Sequence, residues 1–380
     1  MTDEQRPIEP FSSRLFESAM LGGLALPNRI IMAPMSRHRA NLDGTPTGRM
    51  ADYYRQRASA GLIVTEGTFP SWMGRGYLFT PGLCAQGHVV GWRRVTEAVH
   101  DAGGRIFCQL MHCGRLSDPL LLPDNADPVA PSAVKPDPSG IYAICPRVAL
   151  PYPRPRVLST QEVYAVIAEY ASSAALALEA EFDGIEIHGG NGYLPMQFFA
   201  TNVNQRNDAF GGSVANRCRF MLELVDAVSA ICGPDRVGVR IHPGQSFADV
   251  SDDDPQATYS YLTPRLSERG IAYLHLSQRD VGWDVIRTLR AQFDGPIIGG
   301  GALTRQAASL AIESGRFDLA AFGRAFLANP DLVERFRNGW SINRPDPGTY
   351  YSQGLQGYID YPPFFQIGMA DQVNPDEALI

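Results

Sequence analysis

The sequence predicts a single (β/α)8 barrel, an α/β fold in which eight parallel strands alternate with helices. The first observation is a set of eight short apolar runs of strand type, separated by helical patterns, which together indicate a parallel sheet. These runs span residues 30–35, 61–66, 105–110, 184–188, 237–242, 273–277, 296–299 and 318–322. The second observation is that polar residues or glycines follow most of the runs, as at the C-terminal edge of such a barrel. An open doubly wound sheet is the alternative, but no GxGxxG motif follows the first run.

The length of the chain fits this fold. Its 380 residues could hold two domains, but one barrel with insertions reaches the same size. We expect one domain over residues 1–380, with the barrel core at about 28–340. Residues 11–29 contain a Gly22-Gly23 turn, which predicts an N-terminal β-hairpin that caps the bottom of the barrel.

Local end signals predict the main helices. Ser159 and Glu162 have the spacing of a capping box and begin a long Ala-rich helix. A second helix covers residues 214–232 and ends at Gly233, because glycine is a common helix stop. A third helical pattern covers residues 89–102.

A long Pro-rich loop follows the third predicted strand. Residues 117–156 carry ten prolines, a density that excludes a helix interior. A loop of this length in a compact domain is either functional or disordered. We favour a semi-rigid excursion over the mouth of the active site; a surface hairpin without a role is the alternative.

The composition argues against several classes of partner. A net charge of −7 without a basic cluster argues against nucleic acid. The polar N-terminus, MTDEQRPIEP, lacks the apolar region of a secretory signal, and no stretch approaches the length of a membrane span. The six cysteines are scattered without a tight metal spacing, which favours reduced thiols and no metal site. We therefore expect a cytoplasmic protein.

The richest chemistry follows the fourth predicted strand. Residues 182–193 read FDGIEIHGGNGY, so a short apolar run ends abruptly in glycines, His188, Asn191 and Tyr193. The glycines allow a sharp turn and the close approach of a flat ligand. His188 and Asn191 can donate hydrogen bonds from side-chain nitrogens, and the phenol of Tyr193 can donate a proton. A strand-end histidine alone is more often structural, so the prediction rests on the three residues together.

The ends of the seventh and eighth strands predict a phosphate site. Gly300 and Gly301 follow the seventh strand, and Gly323 and Arg324 follow the eighth. Glycines expose backbone N–H groups at the place where barrels often bind phosphate, and arginine offers a fork-shaped cationic donor. A tight turn is an equally good explanation of the glycines taken alone.

Several separate motifs, in the same order along the chain, resemble those of the old yellow enzyme family, the FMN-dependent ene-reductases. They are residues 188–193, Gln197-Phe198, residues 204–208, residues 211–213 and residues 322–332. The resemblance extends from about Leu15 to about Pro362. It implies non-covalent FMN, NAD(P)H as the reductant, an activated alkene as the substrate, a ping-pong hydride transfer and a monomer or homodimer.

The resemblance also implies which residues bind the cofactor. They are Ala33, Pro34, Met35, Ser36, Gly67, Gln109, His188, Asn191, Arg240, Gly300, Gly301, Gly323 and Arg324. The amide of Gln109 suits the flavin pyrimidine edge, and Arg240 would place positive charge near the flavin N1 and C2 carbonyl. Ser36 would hydrogen-bond the C4 carbonyl. Gly67, where relatives often carry alanine, would leave room against the ring.

Substrate binding is expected at His188, Asn191, Tyr193, Met111 and Tyr351. His188 and Asn191 would hold the carbonyl oxygen of an enone, much like an oxyanion hole, and Tyr193 would protonate the α carbon. Met111 departs from the family because many relatives carry a pocket-shaping tryptophan there. The substrates of those relatives are therefore not assigned to this protein.

Three other functions stay open at this point. A related barrel reductase with an iron–sulfur cluster would need cysteines, and none follows Pro330. A non-redox lyase or isomerase could bind a phosphorylated substrate at the same glycines, but it needs a lysine or a carboxylate as a base at a strand end. Lys135 is the only lysine and lies in the Pro-rich loop. The third alternative is a flavin-binding protein without catalysis.

Overall fold

Eight parallel strands close into a barrel in the computed structural model, which describes residues 13–137, 150–244, 246–277, 282–366 and 372–376. The barrel strands are β1 Ile30–Met32, β2 Leu62–Val64, β3 Ile106–Leu110, β4 Gly184–Gly189, β5 Val237–Ile241, β6 Tyr273–Ser277, β7 Ile297–Gly300 and β8 Leu319–Phe322. Each strand pairs with the next in chain order, and β8 pairs with β1. The predicted (β/α)8 barrel is confirmed.

Helices surround the barrel and connect its strands. They are α1 Gly48–Arg55, α2 Gln86–Asp101, α3 Thr160–Glu179, α4 Leu194–Phe199, α5 Val214–Cys232, α6 Pro255–Glu268, α7 Val285–Arg290, α8 Arg305–Glu313, α9 Arg324–Ala328 and α10 Leu332–Asn338. The predicted capping box is present, since Ser159 Oγ accepts from the Glu162 N–H and the Glu162 carboxylate accepts from the Ser159 N–H. Gly233 ends α5 with a φ of 84°, a conformation that favours glycine.

The first strand is shorter than predicted. It ends at Met32 rather than residue 35. Pro34 explains the early end, because proline has no backbone N–H to continue the ladder. The chain from Ala33 onward is thereby released to form part of the site.

The predicted hairpin closes the N-terminal end of the barrel. Its strands, Ala19–Leu21 and Leu24–Leu26, pair antiparallel. Leu21 and Leu26 are buried among apolar side chains of the barrel interior, including Phe107. Burial of this apolar surface leaves the opposite, C-terminal end of the barrel for the site.

The described parts of the Pro-rich loop pack towards the site. Residues 119–121 and 123–125 form short 3-10 turns, and residues 138–149 lie outside the described ranges. Leu121 and Tyr152 are buried in one apolar cluster with Met111 and Tyr193. The contacts favour the predicted excursion over the active-site mouth rather than a surface hairpin.

Two further findings complete the fold. Within the described ranges, no helix combines the length and apolarity needed to cross a membrane. Five of the cysteines lie in those ranges and are unpaired, whereas Cys145 lies outside them.

Candidate active site

Two adjoining cavities open at the C-terminal ends of the barrel strands. The aromatic cavity has a volume of about 620 Å³, and its rings include His38, Tyr77, Tyr193, Tyr350 and Tyr351. The glycine cavity has a volume of about 530 Å³, and its backbone wall includes Gly300, Gly301, Ala302 and Gly323. Together they are large enough for a cofactor and a substrate side by side.

Every residue predicted for the site lines at least one of these cavities. Along the aromatic cavity lie Ser36, Gly67, Gln109, Met111, His188, Tyr193 and Tyr351. Along the glycine cavity lie Ala33, Gly300 and Gly301. Both cavities are lined by Pro34, Met35, Asn191, Arg240, Gly323 and Arg324. One extended ligand can therefore contact both groups of residues.

The end of β4 and the turn that follows it present the three candidate catalytic residues. Asn191 and Gly192 adopt φ values of 52° and 72°, a left-handed conformation that asparagine and glycine tolerate better than other residues. Gln197 holds this turn, because its Nε2 donates to the Gly192 carbonyl over 2.8 Å. Tyr193 then precedes α4 and returns to the cavity, with its ring 5.4 Å from that of His188.

His188 is held as a neutral imidazole. Burial lowers its pKa to about 3, and the positive charge of Arg240 acts in the same direction. A neutral imidazole has one N–H donor and one acceptor nitrogen. The buried Nδ1 has no hydrogen-bond partner among the described residues, so the side chain has capacity for a ligand.

Tyr193 is held as a protonated phenol. Burial raises its pKa well above the usual value near 10. Its hydroxyl donates to the hydroxyl of Tyr77 over 3.4 Å. The phenol is therefore available as a proton donor and has a neighbour with which it can exchange a proton.

Gln109 is anchored beneath the aromatic cavity by an acidic residue. Its Nε2 donates to Glu186 Oε1 over 2.7 Å, and both side chains are buried. Arg240 lies beside this pair. It is on β5, where its register partners are His188 of β4 on one side and His275 of β6 on the other. Its Nε is buried and has no hydrogen-bond partner among the described residues.

The space beside Gly67 differs from our expectation. We expected Gly67 to leave room for the cofactor ring, but a Cβ at this position would lie 2.4 Å from Sδ and 2.5 Å from Cε of Met111. The missing Cβ thus makes room for the Met111 thioether. Met111 is buried and forms part of the wall of the aromatic cavity.

The glycine cavity has the features of a phosphate cradle. Gly301 has a φ of 132°, which favours glycine, and a Cβ at Gly300 would lie 3.3 Å from His275 Nε2. Arg324 is exposed and lines both cavities. Backbone N–H groups and a guanidinium are suited to an anion such as phosphate.

Sequence reasoning missed several residues of the aromatic cavity. His38 adopts a φ of 54°, and its ring lies 5.8 Å from Tyr77 and 5.1 Å from Tyr351. Burial, together with the charge of Arg39, lowers the pKa of His38 to about 4. These residues lie in loops without a motif, so no sequence signal marked them. Glu186 was missed as well, although an acidic residue inside an apolar strand is a sequence signal that could have marked it.

Two basic residues that follow β1 and β3, Arg37 and His112, have different positions relative to the cavities. Arg37 lines the aromatic cavity and donates to the carbonyls of Tyr350 and Gly357, so it fixes the C-terminal segment over the site. His112 does not line either cavity. It is buried and accepts from the Gly114 N–H.

The fold and site define a class: a (β/α)8 barrel with a phosphate cradle beside a cavity of hydrogen-bond donors. The model of the NADH:flavin oxidoreductase / NADH oxidase family matches residues 14–343. The chain therefore belongs to this family, that of the old yellow enzymes; it is an oxidoreductase, and its cofactor is FMN.

Individual relatives agree with this assignment. A Leishmania infantum protein named "Probable flavin mononucleotide-dependent alkene reductase" is 42% identical, with 92% of this chain and 97% of the relative covered. Rice 12-oxophytodienoate reductase 7 is 38% identical, with 95% and 96% covered. A solved morphinone reductase in complex with tetrahydroNAD is 43% identical with a TM-score of 0.88, covering 92% of this chain and 98% of the other. The old yellow enzyme homologue from Zymomonas mobilis is 36% identical with the same TM-score, covering 92% and 99%.

Proposed function

We propose that this alkene reductase uses NAD(P)H to reduce α,β-unsaturated carbonyl compounds and related activated alkenes in a ping-pong reaction. Residues 1–380 would form one FMN-binding domain for this purpose. The observation that carries the proposal is the arrangement of His188, Asn191 and Tyr193 around the cavity that Gln109 also lines. Donors for a substrate oxygen and a proton donor thus lie beside residues suited to a flavin.

The residues present fit FMN. Gln109 offers an amide for the pyrimidine edge, and the buried Nε of Arg240 has no partner among the described residues. Ser36 would bind the C4 carbonyl. The cradle of Gly300, Gly301, Gly323 and Arg324 would bind the phosphate. When bound, FMN would supply the redox chemistry, hydride transfer between a reduced nicotinamide and the alkene β carbon.

His188 and Asn191 would activate the substrate. Hydride addition to an enone places negative charge on the carbonyl oxygen, so preorganised donors lower the barrier. Because burial lowers the pKa of His188 to about 3, we expect it to donate as a neutral imidazole and not to protonate the oxygen. One such donor contributes roughly 10²–10³ in rate in acyl-transfer enzymes.

Tyr193 would complete the reaction by protonating the α carbon. Its raised pKa keeps the proton on the phenol until the carbanionic product develops. Tyr77 is hydrogen-bonded to it and is half-buried, so it provides a path by which the proton can be replaced. The aromatic walls of the cavity favour a flat, largely apolar substrate.

The lyase or isomerase alternative has little support from the geometry. Lys135 is exposed and lines neither cavity. Glu186 accepts hydrogen bonds from three side chains, so it is engaged as a structural acceptor rather than held as a free base. The described lining of the glycine cavity therefore offers neither a lysine nor a carboxylate as the base that this alternative needs.

A double variant tests the proposed substrate site. We expect His188→Ala combined with Asn191→Ala to abolish turnover of 2-cyclohexenone while the protein stays yellow and is still reduced by NAD(P)H. The matched control is His100→Ala, which removes a half-buried histidine paired with Asp183 on the helical layer. Loss of flavin from the double variant would instead make the pair a cofactor contact.

A further inference from the structure

Glu186 is a carboxylate enclosed within the barrel. It lies on β4, two residues before His188, and has no exposed surface. Its Oε1 accepts from Gln109 Nε2 over 2.7 Å. Its Oε2 accepts from the Tyr273 hydroxyl over 3.1 Å and is 2.8 Å from His275 Nδ1. Burial of a carboxylate without partners would lower the stability of the fold, and three hydrogen-bond partners offset this cost for Glu186.

The barrel interior is shaped to allow these contacts. Gln109 and Glu186 are register partners on adjacent strands. On β5, the other neighbour of β4, the register partner of Glu186 is Gly238. A Cβ at Gly238 would lie 2.1 Å from the Tyr273 ring. The glycine thus gives the Tyr273 ring the space from which its hydroxyl reaches Glu186.

Positive and polar neighbours keep Glu186 ionised. Burial raises its pKa, but the hydrogen bonds from His275 and Gln109, together with the positive charge of Arg240, bring the pKa below the ordinary value. Burial also lowers the pKa of His275, so we assign the charge to the carboxylate and treat His275 as a neutral Nδ1–H donor. An ionised carboxylate accepts hydrogen bonds and cannot donate one.

That chemistry fixes the direction of the Gln109 amide. Only the NH2 group of the amide can face Glu186, which leaves Oε1 and one remaining N–H for the cavity. A flavin pyrimidine edge carries an N3–H donor and carbonyl acceptors, and this pair of groups complements it. The reversed amide would present a second donor to N3–H and would leave Glu186 facing an oxygen.

We propose that Glu186 is a positioning residue of the flavin site, whose carboxylate holds the Gln109 amide in the one orientation that matches the flavin pyrimidine edge. This inference rests on the proposed contact between Gln109 and FMN. Glu186→Gln would remove the constraint, because the introduced amide can both donate and accept. The Gln109 amide could then reverse without losing its partner.

The test compares FMN with an analogue methylated at N3, which lacks the N3–H donor. Release of flavin from diluted holoprotein gives the FMN dissociation constant, and exchange of holoprotein with excess analogue gives the relative affinity. In the wild type we expect N3 methylation to weaken binding about tenfold, the size of one lost hydrogen bond. In Glu186→Gln we expect FMN to bind more weakly than in the wild type, and we expect N3 methylation to cause a clearly smaller further loss of affinity.

Two further variants separate positioning from general structure. In a Gln109→Ala background, Glu186→Gln should have no further effect on FMN affinity, because the two act through one contact. Tyr273→Phe is the matched control: it removes a hydrogen bond from the same carboxylate but leaves the Gln109 contact, so discrimination against the analogue should persist. If the Glu186→Gln protein does not fold, Glu186→Asp, which withdraws the carboxylate by one methylene, should show the same dependence on Gln109.

Two results would overturn the proposal, and they have different meanings. An effect of Glu186→Gln that is undiminished in the Gln109→Ala background, with unchanged discrimination against the analogue, would assign Glu186 to barrel structure alone. Unchanged FMN affinity in Gln109→Ala would remove the flavin contact itself and the positioning role with it. Neither result bears on alkene reduction, which the spectral changes of the holoprotein test separately.

Discussion

Gly67 and Met111 are complementary in shape: the thioether of Met111 occupies the space that a side chain at residue 67 would need. A Cβ on Gly67 would lie 2.4 Å from Sδ of Met111 and 3.2 Å from its Cβ. The two residues follow neighbouring strands, β2 and β3, which pair in parallel. One wall of the aromatic cavity therefore depends on both positions together.

Gly67→Ala should change substrate preference by displacing Met111. Methionine is flexible, so we expect its sulfur to move into the aromatic cavity rather than the barrel to unfold. The kcat/KM for a bulky cyclic enone should fall relative to 2-cyclohexenone by about tenfold, the order expected for a lost methylene-sized space. The measurement is the ratio of the two kcat/KM values.

Two controls accompany this substitution. Gly48→Ala adds the same methyl group where nothing lies within 4 Å, so the ratio should not change. Met111→Ala in the Gly67→Ala background should restore access for the bulky enone. An unchanged ratio in Gly67→Ala would show that Met111 does not shape the substrate site.

Tyr193→Phe should slow only the second half of the reaction. The variant lacks the proton donor for the α carbon, and general acid catalysis is typically worth about 10²–10⁴ in rate. Stopped-flow spectroscopy should show normal flavin reduction by NAD(P)H and slow reoxidation by 2-cyclohexenone. Tyr164→Phe, at an exposed tyrosine on α3, is the control. Equal slowing of both half-reactions would exclude Tyr193 as the proton donor.

The reoxidation rate should be nearly independent of pH between about 5 and 9. Burial lowers the pKa of His188 to about 3, so its imidazole is neutral throughout this range. Burial raises the pKa of Tyr193 above its usual value near 10, so its phenol stays protonated. Both groups are therefore in their working form at every pH measured. A sigmoidal step near pH 6.5 that disappears when His188 is replaced would contradict its assigned state; the replacement is needed because burial also raises the pKa of Glu66, the residue before Gly67, to about 7.

Much of the fold could be predicted because its signals are local. The capping box of Ser159 and Glu162 and the stop at Gly233 involve residues close in sequence, and both are present. The predicted first strand is too long, because the apolar run continues beyond Pro34 to residue 35 whereas the strand ends at Met32. Apolar pattern alone does not show where backbone pairing ends.

The candidate site was predictable only where motifs marked it. The residues predicted at strand ends line the two cavities, because barrel strands bring their C-terminal ends together, and their roles there stay predictions. Glu186 was overlooked because its partners, Gln109, Tyr273 and His275, come from other strands far away in the chain. The contact between Gly67 and Met111 and the position of the His38 ring result from tertiary packing, which the spacing of residues along the sequence does not reveal.

The central claim, two half-reactions at one flavin site, is tested most directly by an anaerobic visible spectrum of the purified protein. NADPH and then 2-cyclohexenone are added in turn. We predict flavin absorbance that bleaches with NADPH and returns with the enone. A colourless protein that does not take up added FMN, or a reduced flavin that the enone fails to reoxidise, would contradict the account.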